Sequence, residues 1–474
     1  MPQPRYRVIR YAGLAGAVLL AIAAQLGGAL PELPRHHHPV AIAQHGHGAW
    51  VLLAWLVGTT LLVWAWWSAR HADPPPRWVG VTVGLWFLPL LVAAPQGSRD
   101  IYSYACQGAV YAAGGDPYTY GVADLGCPWL STVTPMWRDT PAPYGPVFVL
   151  LAGLAVQLGG TLWGSIALLR ALAVAGVVLM ALCLPPLARR RGIPAGRALW
   201  LATACPLVAV HLVAGAHNDA LMVGLLVAGL LVVAVWPGRP WALLGAGALL
   251  GLAAAIKITA VVVVPFAALG AIPGRYRPAA FVRYGAWLAL GMVAAIGGAT
   301  LASGLGFGWI AGLSRSGDSV QWTSPPTAVG LFLEYLGRLV GVRLSAVPLT
   351  RVLGLVVLAG VVAVLWWRAR TRDPFLGAGM ALAATVALSP VFHPWYATWP
   401  LAVLAATARR TRWFLLPVLV ACFLTLPDGN NLARFTKFQG TVVMVALIVW
   451  VTGRGIRWAR AQRRSAASAV TSPR

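Results

Sequence analysis

The stretch "LWGSIALLRALAVAGVVLMALCLPPLARRRG" at residues 162–192 joins a long apolar run to three consecutive arginines. An apolar run of about 20 residues is long enough to cross the hydrocarbon core of a bilayer as a helix. Arginine and lysine concentrate in the cytoplasmic loops of membrane proteins. The stretch therefore predicts a transmembrane helix whose carboxyl end lies inside. The same pattern recurs along the chain and predicts an all-α fold.

The overall composition is that of a polytopic membrane protein. The chain has 474 residues, of which 59% are hydrophobic and only 10% are charged, and its mean hydropathy is +0.75. Soluble domains have about 25% charged residues. The formal net charge of +25 comes from arginines in short clusters between apolar runs. Such clusters indicate membrane topology, so we expect a lipid bilayer and no nucleic acid as partner.

Run lengths and arginine clusters together predict about 12–14 crossings. The N-terminus is predicted inside, because "PRYRVIR" precedes the first run and no A-x-A-like cleavage site follows closely. Residues 144–159 are predicted as a partial helix in the outer leaflet, and residues 241–272 as a hairpin of two short helices around Lys257. The other predicted spans are residues 8–30, 49–69, 78–94, 162–187, 197–215, 220–236, 279–302, 344–367, 375–391, 395–408, 413–426 and 440–453.

This topology predicts one transmembrane domain over residues 1–474 in the plasma membrane, with two long extracytoplasmic loops at 95–143 and 303–343. Residues 454–474 form a basic cytoplasmic tail. Of the 11 Asp and Glu residues, only Asp73 and Asp373 fall on the inner side. Acidic residues contribute little to orientation, so their excess outside suggests an outward-facing polar site, although avoidance of the basic face explains part of it. Long loops commonly carry binding and catalysis.

The first outer loop opens with "SRDIYSYACQG" at residues 98–108. Ser98 can cap a helix that begins at Arg99, which places Asp100 in the first turn. We expect an amphipathic interfacial helix, because its polar residues repeat with helical spacing. The stripe consists of Asp100, Tyr104, Gln107 and Tyr111. Asp100 is then either a functional carboxylate or an acid that only offsets the helix dipole.

The same loop continues with turn-forming glycines and prolines, several aromatic residues and two cysteines. Aromatic rings beside carboxylates suit a sugar, and they equally suit an aromatic belt at the membrane interface. The rings belong to Tyr118, Trp129, Trp137 and Tyr144. Cys106 and Cys127 form a disulfide if the loop faces an oxidising compartment, and otherwise are free thiols. The five cysteines show no zinc-binding spacing.

Two polar features lie within apolar surroundings farther along the chain. "HND" at His217, Asn218 and Asp219 falls at a predicted outer turn, and Lys257 lies inside the predicted hairpin. An intramembrane ionisable residue is a functional hypothesis by default. Lys257 is therefore predicted to receive a lipid phosphate, with a structural pair to Asp219 or snorkelling as the alternatives.

Two further polar clusters are "SRSGDSVQWTSPPTAVG" at 314–330 and "SPVFHPWYATW" at 389–399. Arg315 and His393 are candidates to contact an anionic group, while Trp322 and Trp395 are candidates to pack on a sugar or a lipid. For His393 a satisfied helix-end histidine is the simpler alternative. The histidine-rich run at 36–48 suggests either metal binding or solvated loop histidines, and it carries no acidic or cysteine ligand at suitable spacing.

The ordered motifs resemble those of the GT-C integral-membrane glycosyltransferases. Within that group the resemblance is to the actinobacterial polyprenol-phosphomannose-dependent α-1,6-mannosyltransferases of lipomannan and lipoarabinomannan synthesis in the cell envelope. It covers most of residues 95–400 and rests on "SRDIYSYACQG", "GGDPYTYG", "TPAPYGP", "AGAHNDALM" and "SPPTAVG". Two features depart from the pattern. Three spans precede the catalytic loop where many GT-C enzymes have one, and no D-x-D is present, so we expect no metal and no cofactor.

The resemblance implies an inverting transfer of mannose from a polyprenyl phosphomannose to a membrane-anchored mannan on the outer side of the membrane. It implies that Asp100 is the general base. Phosphate binding falls to Lys257, Arg315 and His393. Binding of the sugar or acceptor falls to Tyr102, Tyr104, Tyr144, His217, Asn218, Asp219, Trp322 and Trp395.

Three other functions fit parts of the sequence. A GT-C enzyme that uses another polyprenyl-phosphate sugar would share every motif. A transporter or flippase of a lipid-linked sugar would share the intramembrane ionisable residues, but it predicts polar groups along a path through the bilayer and often internal repeats. A non-catalytic scaffold leaves the ordered outer motifs without a role.

Overall fold

The structure, a computed structural model, describes residues 3–31, 39–44, 46–315, 317 and 319–471. Four of the five histidines of the run at 36–48, those at positions 36, 37, 38 and 45, lie outside these ranges. The described residues form an all-α protein with no β-strand, apart from an isolated bridge between Thr425 and Asn431. The helices are α1 Gln3–Gly27, α2 Pro39–Gln44, α3 Gly48–Ser68, α4 Pro76–Val92, α5 Asp100–Ala112, α6 Pro146–Gly159, α7 Leu162–Arg190, α8 Ala195–Thr203, α9 Asp219–Val235, α10 Pro240–Ala254, α11 Val264–Gly270, α12 Pro278–Ser303, α13 Trp309–Arg315, α14 Pro325–Leu339, α15 Val347–Ala369, α16 Pro374–Leu388, α17 Thr398–Thr407, α18 Arg412–Ala421 and α19 Lys437–Thr471.

The expectation of an all-α polytopic membrane protein is confirmed. Six helices among the described residues are long and apolar enough to cross a bilayer, namely α1, α3, α7, α12, α15 and α19. α8 and the π-helical turn Val208–Ala214, which meet at an angle of 64°, form either a seventh, broken span or a re-entrant loop. This bend follows Pro206, which has no N–H to donate to a continuous helix.

The remaining predicted spans appear as shorter apolar helices of 10–17 residues. At 1.5 Å per residue they measure roughly 15–26 Å, less than the hydrocarbon thickness of about 30 Å. By length and composition the structure thus identifies six or seven spans, and the larger number of about 12–14 stays a prediction.

The predicted hairpin around Lys257 is present. α10 ends at Ala254, and a short 3-10 helix, Ile258–Val263, leads into α11. The beginning and the end of the hairpin lie side by side. Gly238 N, before α10, donates a hydrogen bond of 2.9 Å to Ala271 O, after α11. Lys257 therefore lies at the tip of a re-entrant element.

The described chain divides into two compact units. The first contains residues 1–318, 360–386 and 393–432, and the second contains residues 319–359, 387–392 and 433–474. In the first unit the main helix pairs are α1 with α3, α7 with α9, α10 with α12, and α5 with α6. In the second unit α14 packs on α19, and Ser324 Oγ donates to Ser389 O at 2.7 Å.

Helix α5 differs from its prediction in two ways. It begins at Asp100 with Arg99 as N-cap, one residue later than expected, although Ser98 Oγ still accepts the Asp100 N–H at 3.0 Å. It is also not an amphipathic surface helix, since nine of its 13 residues are buried. α6 and the outer loop cover it, and tertiary packing has removed the solvent that its polar stripe was expected to face.

A disulfide between Cys106 and Cys127 ties the outer loop to α5, with the two Cα atoms 5.4 Å apart. Of the two alternatives that the sequence left open, a disulfide or two free thiols, the structure contains the disulfide. Val110, Val122 and Val133 are buried around it, and Trp129 and Trp137 pack against this small core. The loop is thus an ordered structural element with a small hydrophobic core of its own.

The exit of the loop docks on the chain just before Lys257. Gly145 N donates to Ile256 O at 3.3 Å and Val147 N donates to Ala255 O at 3.1 Å. A Cβ at position 145 would lie 2.3 Å from Ala255 O, so only glycine permits this approach. The "APYGP" motif therefore has a structural reason: its glycine brings Tyr144 to the Lys257 segment.

Removing the disulfide by the double substitution Cys106→Ser/Cys127→Ser should destabilise the protein. Closing a loop with a sequence separation of 21 contributes about 3 kcal/mol through the entropy of the unfolded chain. Thermal unfolding in detergent, followed by the loss of the helical circular-dichroism signal, would measure the lowered Tm. Reductant should lower the parent's Tm equally, and an unchanged Tm in both cases would contradict the prediction.

Candidate active site

Four elements of the first unit converge around one cluster of polar and aromatic side chains. They are the start of α5, the turn before α9, the tip of the α10–α11 hairpin, and the segment before α17. They contribute Asp100, His217, Asp219, Lys257, Trp395, Tyr396 and Trp399, which the contacts below connect. All four elements were identified from sequence as separate polar features, and the fold brings them together.

A buried ion pair forms the floor of the site. Lys257 Nζ donates to both oxygens of Asp219, at 2.9 Å and 3.0 Å, and Trp399 Nε1 donates to Asp219 Oδ1 at 2.6 Å. The Asp219 side chain is fully buried and the Lys257 side chain is 14% exposed. The ammonium also lies 4.7 Å from the centre of the Tyr396 ring. The structure thus contains the Lys257–Asp219 pair that was an alternative to phosphate binding.

Asp100 lies above this pair at the start of α5, with 19% of its side chain exposed. The pKa of Asp100 is raised to about 6: burial is the largest cause and Asp219 adds to the rise, while the Lys257 charge and a hydrogen bond with the Ser98 side chain oppose it. A carboxyl with a pKa in this range is close to the optimum for general-base work near neutral pH. Asp100 is therefore a candidate functional carboxylate as well as an acid in the first turn of α5.

His217 connects Asp100 to its surroundings. Its Nε2 lies 3.0 Å from Ser98 Oγ, and its Nδ1 lies 3.3 Å from the Tyr104 hydroxyl and 3.8 Å from Asp100 Oδ2. Burial lowers the pKa of His217 well below its usual value, so the ring is neutral and the contact with Asp100 is not an ion pair. The fully buried His217 orients Ser98, Tyr104 and Asp100, and no ring nitrogen is left for a sugar.

Trp395 is stacked against two histidines. The ring centres of His217 and Trp395 are 4.0 Å apart with an interplanar angle of 26°, and those of His393 and Trp395 are 4.6 Å apart with an angle of 6°. The indole is therefore stacked against two histidine rings and largely buried, and its contact with a sugar remains a prediction. Burial lowers the pKa of His393 to about 3, so this residue can offer a phosphate a hydrogen bond but not a charge.

Asn218 has a buried side chain whose amide nitrogen and oxygen both lack a hydrogen-bond partner within the described part of the chain. Leaving such a group unsatisfied costs about 1–3 kcal/mol. Sugar hydroxyls would supply both a donor and an acceptor. By contrast, the Asp219 oxygens accept hydrogen bonds from Lys257 and Trp399, and the expected sugar contact of Asp219 remains a prediction.

The predicted tyrosines separate into two groups. Tyr104 and Tyr144 belong to the site: their rings meet edge to face at 5.3 Å, and both lie in the electrostatic field of Asp100. Tyr102 points elsewhere, since its buried hydroxyl donates to Ala29 O at 2.6 Å. Tyr102 is a packing residue on the opposite side of α5, and a sugar contact has no support there.

Two other predicted residues are not brought into this cluster by any described contact. Arg315 is the last residue of α13, and its side chain lies outside the described part of the structure. Trp322 belongs to the second unit, where Nε1 donates to Thr436 Oγ1 at 3.2 Å. Their expected roles remain predictions. Among the described residues, no group of three or more His, Cys, Asp or Glu side chains is placed to hold a metal ion.

Sequence reasoning missed Arg170, which connects the two segments that carry Asp100 and His217. Its buried guanidinium donates to Leu91 O at 2.6 Å, to Ala93 O at 3.1 Å and to Ala214 O at 2.9 Å. A lone arginine inside the apolar run of α7 was the available signal. Tyr396 and Trp399 were also missed, although they lie in the "SPVFHPWYATW" stretch that was noted as polar.

The substitution Lys257→Met should destabilise the protein strongly, because it leaves the Asp219 carboxylate buried without its cation. The expected loss is about 3–5 kcal/mol. Lys257→Met combined with Asp219→Asn should recover most of it, since no buried charge remains. The Tm in detergent measures both, with the exposed Lys437→Met as matched control. Equal decreases in Tm for the single and the double variant would show that Lys257 and Asp219 do not stabilise the protein as an interacting pair.

Comparisons with known proteins identify the relatives of this chain. Residues 10–273 match the family profile described as alpha-(1->6)-mannopyranosyltransferase, N-terminal domain, and residues 326–454 match the MptB C-terminal domain. A probable alpha-(1->6)-mannopyranosyltransferase of Mycolicibacterium smegmatis is 34% identical, over 95% of this chain and 89% of its own. Alpha-(1->6)-mannopyranosyltransferase A of Mycobacterium tuberculosis is 34% identical, over 88% and 84%. The B enzyme of Corynebacterium glutamicum is 28% identical, over 92% and 79%.

No solved structure matches the chain. The match to the N-terminal profile covers more than half of the sequence and includes Asp100, His217, Asp219 and Lys257. The relatives extend the likeness over nearly the whole chain. The protein is therefore a glycosyltransferase, and it belongs to the alpha-(1->6)-mannopyranosyltransferase family.

Proposed function

We propose that this enzyme transfers mannose from a polyprenyl phosphomannose to a membrane-anchored mannan, forming α-1,6 linkages with inversion at the anomeric carbon. One observation carries the proposal: the partly exposed Asp100 carboxylate has a raised pKa of about 6 and lies in the electrostatic field of Lys257. A base for an acceptor hydroxyl and a cation for a leaving phosphate are thus close together. The names of the relatives support the sugar and the linkage.

The chemistry needs one base and no acid. The acceptor 6-hydroxyl oxygen attacks the anomeric carbon of the β-linked donor, and its proton passes to an Asp100 carboxylate oxygen. The bond from the anomeric carbon to the phosphate oxygen breaks, and its electron pair leaves with the polyprenyl phosphate. A phosphate leaves without being protonated, so the acid of a glycoside hydrolase pair has no counterpart here.

Lys257 is the proposed phosphate ligand, and its pair with Asp219 supports that role. An ammonium has three N–H donors, of which Asp219 engages two. The third remains for the departing phosphate, whose developing charge it would stabilise. His393 can add a neutral hydrogen bond, and the unpartnered Asn218 amide is the proposed contact for sugar hydroxyls.

We place the site on the extracytoplasmic side of the plasma membrane. The Cys106–Cys127 disulfide supports this, because it lies in the same element as Asp100 and disulfides persist in oxidising compartments. The distribution of arginine clusters agrees, since it assigns the first long loop to the outer side.

Asp100→Asn should lower the transfer rate by about 10²–10⁴-fold, because the amide cannot accept the proton. The assay uses purified protein, radiolabelled polyprenyl phosphomannose and a short α-1,6-mannoside, with NMR of the product to establish the α-anomer. Asp139→Asn is the matched control, since Asp139 is an exposed carboxylate of the same loop. A transporter would yield no mannoside product in this assay, and an Asp100→Asn rate equal to the parent's would refute the assignment of the base.

The pH dependence of kcat/KM should report the same carboxylate. Asp100 accepts a proton only when ionised, so kcat/KM should fall as the pH drops through about 6 and should be constant above it. The residual activity of Asp100→Asn should lack this acid limb over about one pH unit on each side of that pKa. An identical acid limb in the variant would assign the titration to another group.

A further inference from the structure

A second charged cleft lies at the far end of α9 from the active site. α9 has 17 residues and starts at Asp219, so its end lies roughly 25 Å away along the helix axis. There the turns after α7, α9 and α11 meet the turn before α16, and they enclose a cleft of about 290 Å³. Three arginines line it, Arg191, Arg370 and Arg372. We call it the arginine cleft.

Of the three guanidinium groups, that of Arg191 pairs with an acid and that of Arg370 is held by local contacts. Arg370 Nε donates to Trp367 O at 3.1 Å, and its guanidinium lies over the Trp367 ring. Arg191 contacts Asp373 at 3.3 Å, and Asp373 also accepts the Phe375 N–H at 2.9 Å. Neither Arg370 nor Arg372 has a carboxylate partner within the described residues. Two positive charges therefore remain without a counterion in the cleft.

The surroundings indicate which kind of anion fits. Guanidinium groups present forked donors that match phosphate oxygens. Three exposed tryptophans, Trp236, Trp241 and Trp367, flank the turns that form the cleft, and exposed tryptophans are typical of the level of lipid head groups. Exposed apolar residues such as Val364 continue from there along α15. A phosphate in the cleft would thus sit where the head of a lipid lies, with its chains along the helices.

We propose that the arginine cleft binds the head group of an anionic membrane lipid that carries two phosphates, as in a diphosphatidylglycerol. The two uncompensated charges match two phosphates, and the volume accommodates a head group but not a whole lipid. Basic pockets at the ends of membrane helices are suited to such heads. The bound lipid adds contacts to four turns that already meet through the Gly238–Ala271 hydrogen bond and the Arg191–Asp373 ion pair, so it stabilises the folded enzyme. The proposal does not depend on the transfer reaction.

The test is lipid binding to the purified full-length protein in detergent, measured by native mass spectrometry and by the rise in Tm. The probes are diphosphatidylglycerol, phosphatidylglycerol with one phosphate, zwitterionic phosphatidylcholine, and inorganic pyrophosphate. We expect diphosphatidylglycerol to bind most tightly and to raise the Tm most. Arg370→Gln/Arg372→Gln should weaken its binding by at least about tenfold through loss of charge-assisted hydrogen bonds.

The matched control is Arg189→Gln/Arg190→Gln, which removes the same charge from exposed residues that do not line the cleft. If both double variants lose affinity for diphosphatidylglycerol equally, the lipid is attracted by the basic surface in general, and the proposed site is overturned. Equal binding of phosphatidylglycerol would overturn the two-phosphate head, and equal binding of pyrophosphate would indicate a soluble anion. Should Arg370→Gln perturb folding, Arg372→Gln alone, at an exposed position, should still weaken binding by about threefold. Basal mannosyl transfer in detergent should be unchanged in all these variants.

Discussion

The site depends on the buried ion pair between Lys257 and Asp219. Each charge alone would be costly so deep in an apolar protein, and together they link the tip of the α10–α11 hairpin to the start of α9. Trp399 adds a third element by donating to the same carboxylate. The pair therefore has two effects. It ties three segments that are distant in sequence, and it leaves one ammonium donor and a local positive charge next to Asp100.

The properties of Asp100 follow from what surrounds this pair. Burial in the start of α5 raises its pKa, and the nearby Lys257 keeps the rise moderate. A neutral His217 holds Ser98 and Tyr104 around it, while Arg170 ties the segments that lead to Asp100 and to His217. The carboxylate is thus placed by side chains that do not react. This is the arrangement that a single general base requires, since its position and protonation state must both be set in advance.

Local patterns predicted some of these elements well and others badly. The loop with Asp100, the outer turn with Asp219 and the hairpin around Lys257 were all identified, because charged residues within apolar runs are rare and conspicuous. The burial of α5 could not be predicted, since a helical stripe of polar residues has the same spacing whether it faces water or a polar site. The rings of His217 and His393 both stack on Trp395. The contact with His217 could not be predicted from the sequence, because the two residues are 178 positions apart along the chain.

By itself the sequence determined that this is an all-α membrane protein with its carboxylates gathered in a few segments, because hydrophobic run length and charge placement are local properties of a chain in a bilayer. The ordered motifs also determined its family. Only the tertiary structure decided which polar residues are partners and which are packing: that Asp219 pairs with Lys257, that Tyr102 turns away to Ala29, and that Cys106 and Cys127 join. The reason is that pairing depends on distances between helices, and these are set by side-chain packing between segments far apart in the chain.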